Sequence, residues 1–229
     1  QYKKQDKDSI FLEFLKDPVK KYSWKETYLN IIKLSKEISK YIYKGDRCLL
    51  ISENRPEWMM TDLSIMLSKG ITVPAYTTYT DRDYEYIIDD CSPSIIFVSN
   101  KTQYEKIKNI IPKKNFIKKI IIFDSIPDLK DQFILDINKI FNNQNYEIKD
   151  FYNLEIYRKD IACIIYTSGT QGNPKGVMLS HGGILNNCEG SCDLLESIIS
   201  KKPKFLTWLP LSHSYEHTVQ FVQIAVAAK

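Results

Sequence analysis

Apolar residues recur at helical spacing from Ser23 to about Ile42, with Trp24, Tyr28, Ile31, Ile38 and Ile42 forming one stripe. Ser23 followed by Glu26 fits a capping box at the start of that helix. After Gly45-Asp46 the pattern changes to a short continuous apolar run, Cys48-Leu-Leu-Ile51, which predicts a core strand. Pro56 opens a second helix with Trp58, Met59, Leu63, Met66 and Leu67 on its apolar face, and Gly70 is expected as its C′ residue. Ile71-Thr-Val73 returns as a strand and is expected to stop at Pro74. Strand, helix and strand in this spacing make a βαβ unit, normally parallel and right-handed. Thr80 and Asp83 can cap a third helix carrying Tyr84, Ile87 and Ile88. A strand at Ile95-Ile-Phe-Val98, a helix from about Gln103 to Ile110 and a strand at Ile120-Ile-Ile-Phe123 complete the run. The alternation predicts an α/β fold with a parallel or mostly parallel sheet and flanking helices.

The pattern weakens between residues 125 and 160, where a helix is expected over Asp131 to Phe141 and a polar turn at Asn142-Asn-Gln-Asn145. Ile161-Ala-Cys-Ile-Ile-Tyr166 then predicts a buried strand, and Val177-Met-Leu179 a short one. A helix from Ile184 to about Ile199, a strand at Phe205-Leu-Thr-Trp208 and an apolar helix from Val219 to Ala228 follow. The chain is expected to stop inside that last helix without a cap, leaving apolar surface that favours oligomerisation or poor solubility. Three portions are expected: a first α/β portion over about 20–125, a peripheral linker over about 126–160, and a third portion over about 161–229.

With 229 residues the chain is long enough for one sizeable α/β core or two small ones. No run of 18 apolar residues is present, so no spanning helix is expected. The polar start lacks an apolar signal core and a methionine, and the chain is expected to be a piece of something longer. The net charge of +4 comes from lysines scattered among isoleucine and asparagine, a poor footprint for nucleic acid. Cys48, Cys91, Cys163, Cys188 and Cys192 are odd in number and lack a completing Cys or His cluster. They read as thiols in a reducing cytoplasm rather than metal ligands. The expected location is cytoplasmic, with peripheral association at a membrane surface as a further option.

The strand ending at Tyr166 opens into Gly169, Gly172 and Gly176, the hydroxyls of Thr167, Ser168 and Thr170, and Lys175. Glycines let a turn expose successive N–H groups as an anion nest, and lysine adds a mobile positive charge. The stretch therefore predicts a phosphate-cradling loop between two apolar runs, both read as buried. It is not a Walker loop, because Gly176 follows Lys175 where a hydroxyl would hold magnesium. No Gly-x-Gly-x-x-Gly opens a helix, and Ser168 lacks the flanking glycine of a nucleophile elbow. His181, just past the loop, reads as a packing or capping residue. His213, in Pro210-Leu-Ser-His213, lies in a loop after a strand, where either a structural or an active-site role fits.

The whole string Tyr166-Thr-Ser-Gly-Thr-Gln-Gly-Asn-Pro-Lys-Gly-Val-Met-Leu-Ser-His181 resembles the signature loop of the AMP-forming adenylating enzymes, which include acyl-CoA synthetases, luciferases and peptide-synthetase adenylation domains. Their usual form is Tyr-Thr-Ser-Gly-Thr-Thr-Gly-x-Pro-Lys-Gly-Val, and Gln171 departs from it. Leu209-Pro-Leu-x-His213 resembles a second family motif. Glu216 extends the likeness toward long-chain acyl-CoA synthetases, although His217 stands where those usually carry arginine. Glu53-Asn-Arg-Pro-Glu-Trp58 and Gly70-Ile-Thr-Val-Pro74 look like the family's amino-terminal region.

The resemblance implies the amino-terminal part of the family's large domain, with the carboxyl-terminal domain absent. It implies a two-step activation of a fatty, long-chain carboxylate with ATP, Mg2+ and CoA. The carboxylate first attacks the α-phosphorus to give acyl-AMP and pyrophosphate; the CoA thiol then gives acyl-CoA and AMP. Thr167, Ser168, Gly169, Thr170, Gln171, Gly172 and Lys175 are expected to hold phosphates, with Lys175 and His213 as the catalytic residues. The family's later motifs, including its adenine and ribose contacts and its mobile lysine, are not in these 229 residues. The piece alone is therefore expected to be inactive, needing the missing portion as its partner. Two alternatives stand: an acyl-AMP ligase serving a carrier protein, and a non-catalytic nucleotide- or partner-binding remnant.

Overall fold

A computed structural model describes residues 4–127, 129, 131–144, 155–167, 173–195, 198 and 203–229. The chain begins with a hairpin that the periodicity did not announce, β1 (Ile10–Phe14) and β2 (Lys20–Ser23), paired antiparallel. Helix α1 (Trp24–Ile38) follows directly, and Ser23 and Glu26 form the expected capping box. Next come β3 (Arg47–Ile51), α2 (Pro56–Leu67), β4 (Ile71–Ala75), α3 (Asp81–Cys91), β5 (Ile95–Val98) and α4 (Lys101–Ile107). A single turn of 3-10 helix at Ile111–Lys113 leads to β6 (Lys119–Ile122), then β7 (Ile134–Asp136) and α5 (Ile137–Phe141). The last part holds β8 (Ile161–Thr167), β9 (Lys175–Ser180), α6 (His181–Leu195) and α7 (Ser214–Ala225).

Among the described residues one seven-stranded sheet runs in the order β7-β6-β5-β3-β4-β8-β9. All its pairs are parallel except β8 with β9. Successive residues of β3 show why helices cover both faces. Leu49 and Ile51 pack with Tyr84 and Ile87 of α3 and Ile107 of α4. Cys48 and Leu50 pack with Leu34 and Ile38 of α1 and Trp58 of α2. A strand apolar at every position, with period-2 side chains, must be covered twice, which is the doubly wound arrangement. Beyond β4, Ala162, Cys163 and Ile165 of β8 pack against Ile184 of α6 and Val222 of α7. The first α/β portion and the third portion thus share one sheet, joined at the pair Thr72↔Cys163.

Several expectations are corrected. Lys69, not Gly70, takes the left-handed conformation after α2, at φ 64°. Its N–H donates to Met66 O (3.0 Å) and Gly70 N–H to Ile65 O (2.9 Å), the Schellman pair. Gly70 is glycine for space: a Cβ there would lie 2.8 Å from Ile42 Cδ1. Pro74 lies inside β4 rather than ending it, beyond the single pair that joins β4 to β8, so its missing N–H costs no ladder bond on that side. Over 131–141 the expected helix is a strand and then a short helix. Asp136 accepts from Asn138 N–H (2.8 Å) and sets the helix start there.

Phe205 to Trp208 alternates in exposure like a strand but, among the described residues, joins no sheet. Its backbone bonds are Phe205 N–H to Lys229 O (2.8 Å) and Lys229 N–H to Pro203 O (3.0 Å). The last helix is capped: Ala227 is left-handed at φ 55°, and Ala228 N–H donates to Gln223 O (2.9 Å), closing a second Schellman turn.

Candidate active site

The phosphate-loop stretch is a β-hairpin at the sheet edge. Thr167, the last residue of β8, is paired across from Lys175, the first of β9. Both are exposed at the open end. Ser168, Gly169, Thr170, Gln171 and Gly172, the other expected phosphate contacts, lie outside the described residues. The run after the loop is not buried as expected. β9 is the outer strand, and Val177 and Met178 are 46% and 66% exposed.

The hairpin is fastened to α3 by polar contacts. The Tyr166 ring is buried, and its hydroxyl donates to Asp90 Oδ2. Burial, and then this bond to a carboxylate, push the Tyr166 phenol far above its usual range. Tyr86 Oη donates to Pro174 O at 3.0 Å, one residue before Lys175. Gly176 faces the same ring: a Cβ there would come within 2.7 Å of Ile164 Cγ2 and 3.3 Å of Tyr166 Cζ. This glycine of the signature string is needed for close packing beside the loop.

His181 opens α6 as expected of a packing residue. Its N–H donates to Asp160 O (3.0 Å), while Ser180 Oγ caps Gly183 N–H (3.1 Å). Burial holds its imidazole below the usual histidine range. His213 is the exposed N-cap of α7, and its Nδ1 accepts from Tyr215 N–H at 3.2 Å. Among the described residues no hydrogen bond joins His213 to Thr167 or Lys175. They are related through α6, which follows β9 and packs on α7.

One turn on, His217 is buried, not a surface departure. Its Nε2 donates to Asp62 Oδ2 (2.8 Å), which also accepts from Gln220 Nε2 (3.2 Å). Its ring stands edge-on to Trp58 and stacks on Phe221, each at 5.2 Å between centroids. Glu216 is buried too, and burial raises its carboxyl above the ordinary value.

Between α7, the segment before it and the β1–β2 hairpin lies a cleft of about 930 Å³. Residues 52–55 and 76–78, which follow β3 and β4, form one wall, at the carboxyl ends of parallel strands where α/β folds place ligands. Phe11, Leu12, Phe205 and Leu206 line the apolar side, and Leu211 and Ser212 bring the histidine loop to its rim. Arg55 closes one corner: its guanidinium grips both Asp124 oxygens (3.1 and 2.9 Å) and Glu57 Oε2 (2.8 Å). Burial disfavours the Glu57 carboxylate, yet the bond and charge of Arg55 hold its pKa below the usual range. The contacts of Asn54, Asp62 and His217 escaped sequence reasoning. One indirect signal was present: His217 and Gln220, three apart, share one face of α7.

The model of the family described as AMP-binding enzyme matches residues 1–229. The chain belongs to that AMP-binding enzyme family. It is 29% identical to long chain acyl-CoA synthetase 3 of Arabidopsis thaliana over 229 residues, covering 91% of this chain and 33% of the relative. It is 31% identical to fatty acyl-CoA synthetase A of Dictyostelium discoideum over 188 residues, covering 77% of this chain and 27% of the relative. The chain thus spans about a third of these curated relatives. The fold matches ATP-bound MatB from Rhodopseudomonas palustris with a TM-score of 0.78 at 21% identity, covering 97% of this chain and 42% of that one.

Thr167 and Lys175 present an exposed hydroxyl and an exposed ammonium, donor types that phosphate oxygens accept from. Among the described residues no three His, Cys, Asp or Glu side chains come together as a metal site.

Proposed function

We propose that this chain is the phosphate-gripping and acyl-facing part of an AMP-forming ligase that activates long-chain fatty acids to acyl-CoA. One observation carries the reading. Thr167 and Lys175 face each other across the open end of a hairpin whose intervening sequence is dense in glycine and hydroxyl donors. The names of the relatives, acyl-CoA synthetases of plant and slime mould, support a fatty acid as the carboxylate and CoA as the acceptor.

The first step brings two anions together, so its barrier falls where donors are fixed before reaction. The hairpin supplies them: its two strands hold Thr167 and Lys175 in register, and Tyr166 and Tyr86 tie it to α3. The fatty carboxylate is already ionised at neutral pH and needs no protein base. Bound Mg2+ would neutralise phosphate charge. His213 follows Leu211 and Ser212, which line the cleft, and is assigned to the carboxylate side. The cleft's apolar wall suits an alkyl chain.

The test is fatty-acid-dependent pyrophosphate–ATP exchange by the full-length protein, followed by CoA and, separately, an acyl carrier protein as acceptor. Exchange that depends on a long-chain acid and ends in acyl-CoA is expected. Absence of exchange with any carboxylate would overturn the reading, and transfer only to the carrier protein would reassign the acceptor.

A further inference from the structure

Asn54 lies in the turn between β3 and α2, far in sequence from the histidine loop. Its amide nevertheless makes two bonds to that loop's backbone. Nδ2 donates to Leu209 O at 2.6 Å, and Oδ1 accepts from Leu211 N–H at 2.9 Å. Donor and acceptor are both used, so the amide orientation is fixed and the two peptide units are held as they would be by a neighbouring strand. His213 N–H donates back to Pro210 O at 2.9 Å, so the fixed segment runs straight into His213. Leu211, between the two bonded groups, is buried beside Trp58 and Leu50.

A second tether comes from the same stretch of chain. Asp62, two turns into α2, holds His217 and Gln220 of α7. His217 N–H in turn donates to His213 O at 3.0 Å. The residue between loop and helix is therefore gripped from both sides by residues 54–62. His213 itself is exposed, and among the described residues its ring makes only a local cap bond. Packing against its own side chain does not place it; the clamp does.

We infer that Asn54 is a positioning residue for His213, clamping the backbone of the histidine loop while Asp62 anchors the helix behind it. This rests on the fatty-acid-activating reading above, in which His213 stands on the carboxylate side. Asn54 lies in the cleft wall, but both ends of its amide are taken up by the loop backbone. It acts by holding His213 within the small displacement that reaction geometry tolerates, where about 1 Å can cost about 10²-fold in rate.

The test is a double-mutant cycle in the full-length protein, using the rate of acyl-adenylate formation. Asn54→Ala should lower kcat about tenfold or more while leaving the KM for ATP within about twofold. In a His213→Ala background the same substitution should cost about twofold or less, because the residue it positions is gone. Equal losses in both backgrounds overturn the inference in favour of general destabilisation. A His213→Ala protein with unchanged rate overturns the role given to His213, and with it any catalytic role for Asn54. Hydrogen exchange reads the clamp without catalysis: Asn54→Ala should raise exchange at the Leu211 amide, and unchanged protection there overturns the clamp itself. Asn54 is only half buried, so its loss should leave the fold intact.

Discussion

The centre of the sheet and its β8–β9 edge are held together by different physics. Strands β3 and β5 are buried on both faces, and Phe97, Leu49 and Leu50 have no exposure. In the edge hairpin β8 is still buried under α6 and α7, but β9 turns Val177 and Met178 outward, and the end toward the loop is tied by hydrogen bonds: Tyr166 to Asp90, Tyr86 to Pro174. The histidine loop is likewise tied by Asn54, and the helix behind it by Asp62, beside the buried Leu211. The described residues with candidate chemistry, Thr167, Lys175 and His213, lie in this second regime. Elements that must meet ligands are drawn from the less stable end of a fold, and here directed bonds replace bulk burial in placing them.

The comparison breaks most visibly in stability. Phe97→Ala removes a fully buried ring and should cost about 3–5 kcal/mol in denaturant unfolding. Met178→Ala, on the edge strand, should stay within about 0.5 kcal/mol. Similar losses at both sites would erase the distinction. Activity should reverse the order of importance. Lys175→Ala in the full-length protein should slow pyrophosphate exchange by about 10²-fold, the scale of one preorganised donor to developing charge, with no shift in the unfolding midpoint. An unchanged exchange rate would sink the phosphate assignment.

The same division explains what could be read from sequence. Ile95-Ile-Phe-Val98 is predicted to the residue because four apolar positions between breakers leave one solution. The two capping boxes, at Ser23 and Thr80, are local and were readable too. Gly70 was misassigned because a glycine after a helix has two causes, backbone sign and space, and the sequence shows neither. Phe205 to Trp208 has a strand's alternation, but being a strand needs a partner, and pairing is not local. The signature string located the hairpin by resemblance, yet its tethers are invisible in the string. Tyr166 meets Asp90 and Asn54 meets Leu211 only after folding brings distant segments together.

A smaller effect tests whether the hairpin's polar tether contributes as claimed. Tyr166→Phe keeps the buried ring and removes only the bond to Asp90, an exposed carboxylate that water can satisfy afterwards. The expected loss is therefore about 1 kcal/mol, the net value of one hydrogen bond. It should be accompanied by faster amide exchange in β8 and β9 and unchanged exchange in β3 and β5. Uniform acceleration across the sheet would mean the hairpin is not a separately tethered unit.

The smallest expected effect is one of pH, at the corner where the two regimes meet. Glu57 is buried in α2, beside Arg55, with Tyr22 Oη at 3.3 Å and Lys20 Nζ at 3.6 Å. Burial raises its pKa, but the Arg55 bond and charge outweigh that, and the folded value lies below the ordinary 4.5. The unfolded state therefore binds the proton more readily than the folded one. The pair's contribution is fully present above pH 4.5 and is lost as pH falls through the lowered folded value. Glu57→Gln removes the titrating group, so the stability gap between wild type and variant should be widest at neutral pH and narrow on acidification below that point. A gap constant with pH would show that Glu57 contributes shape and hydrogen bonding but no charge.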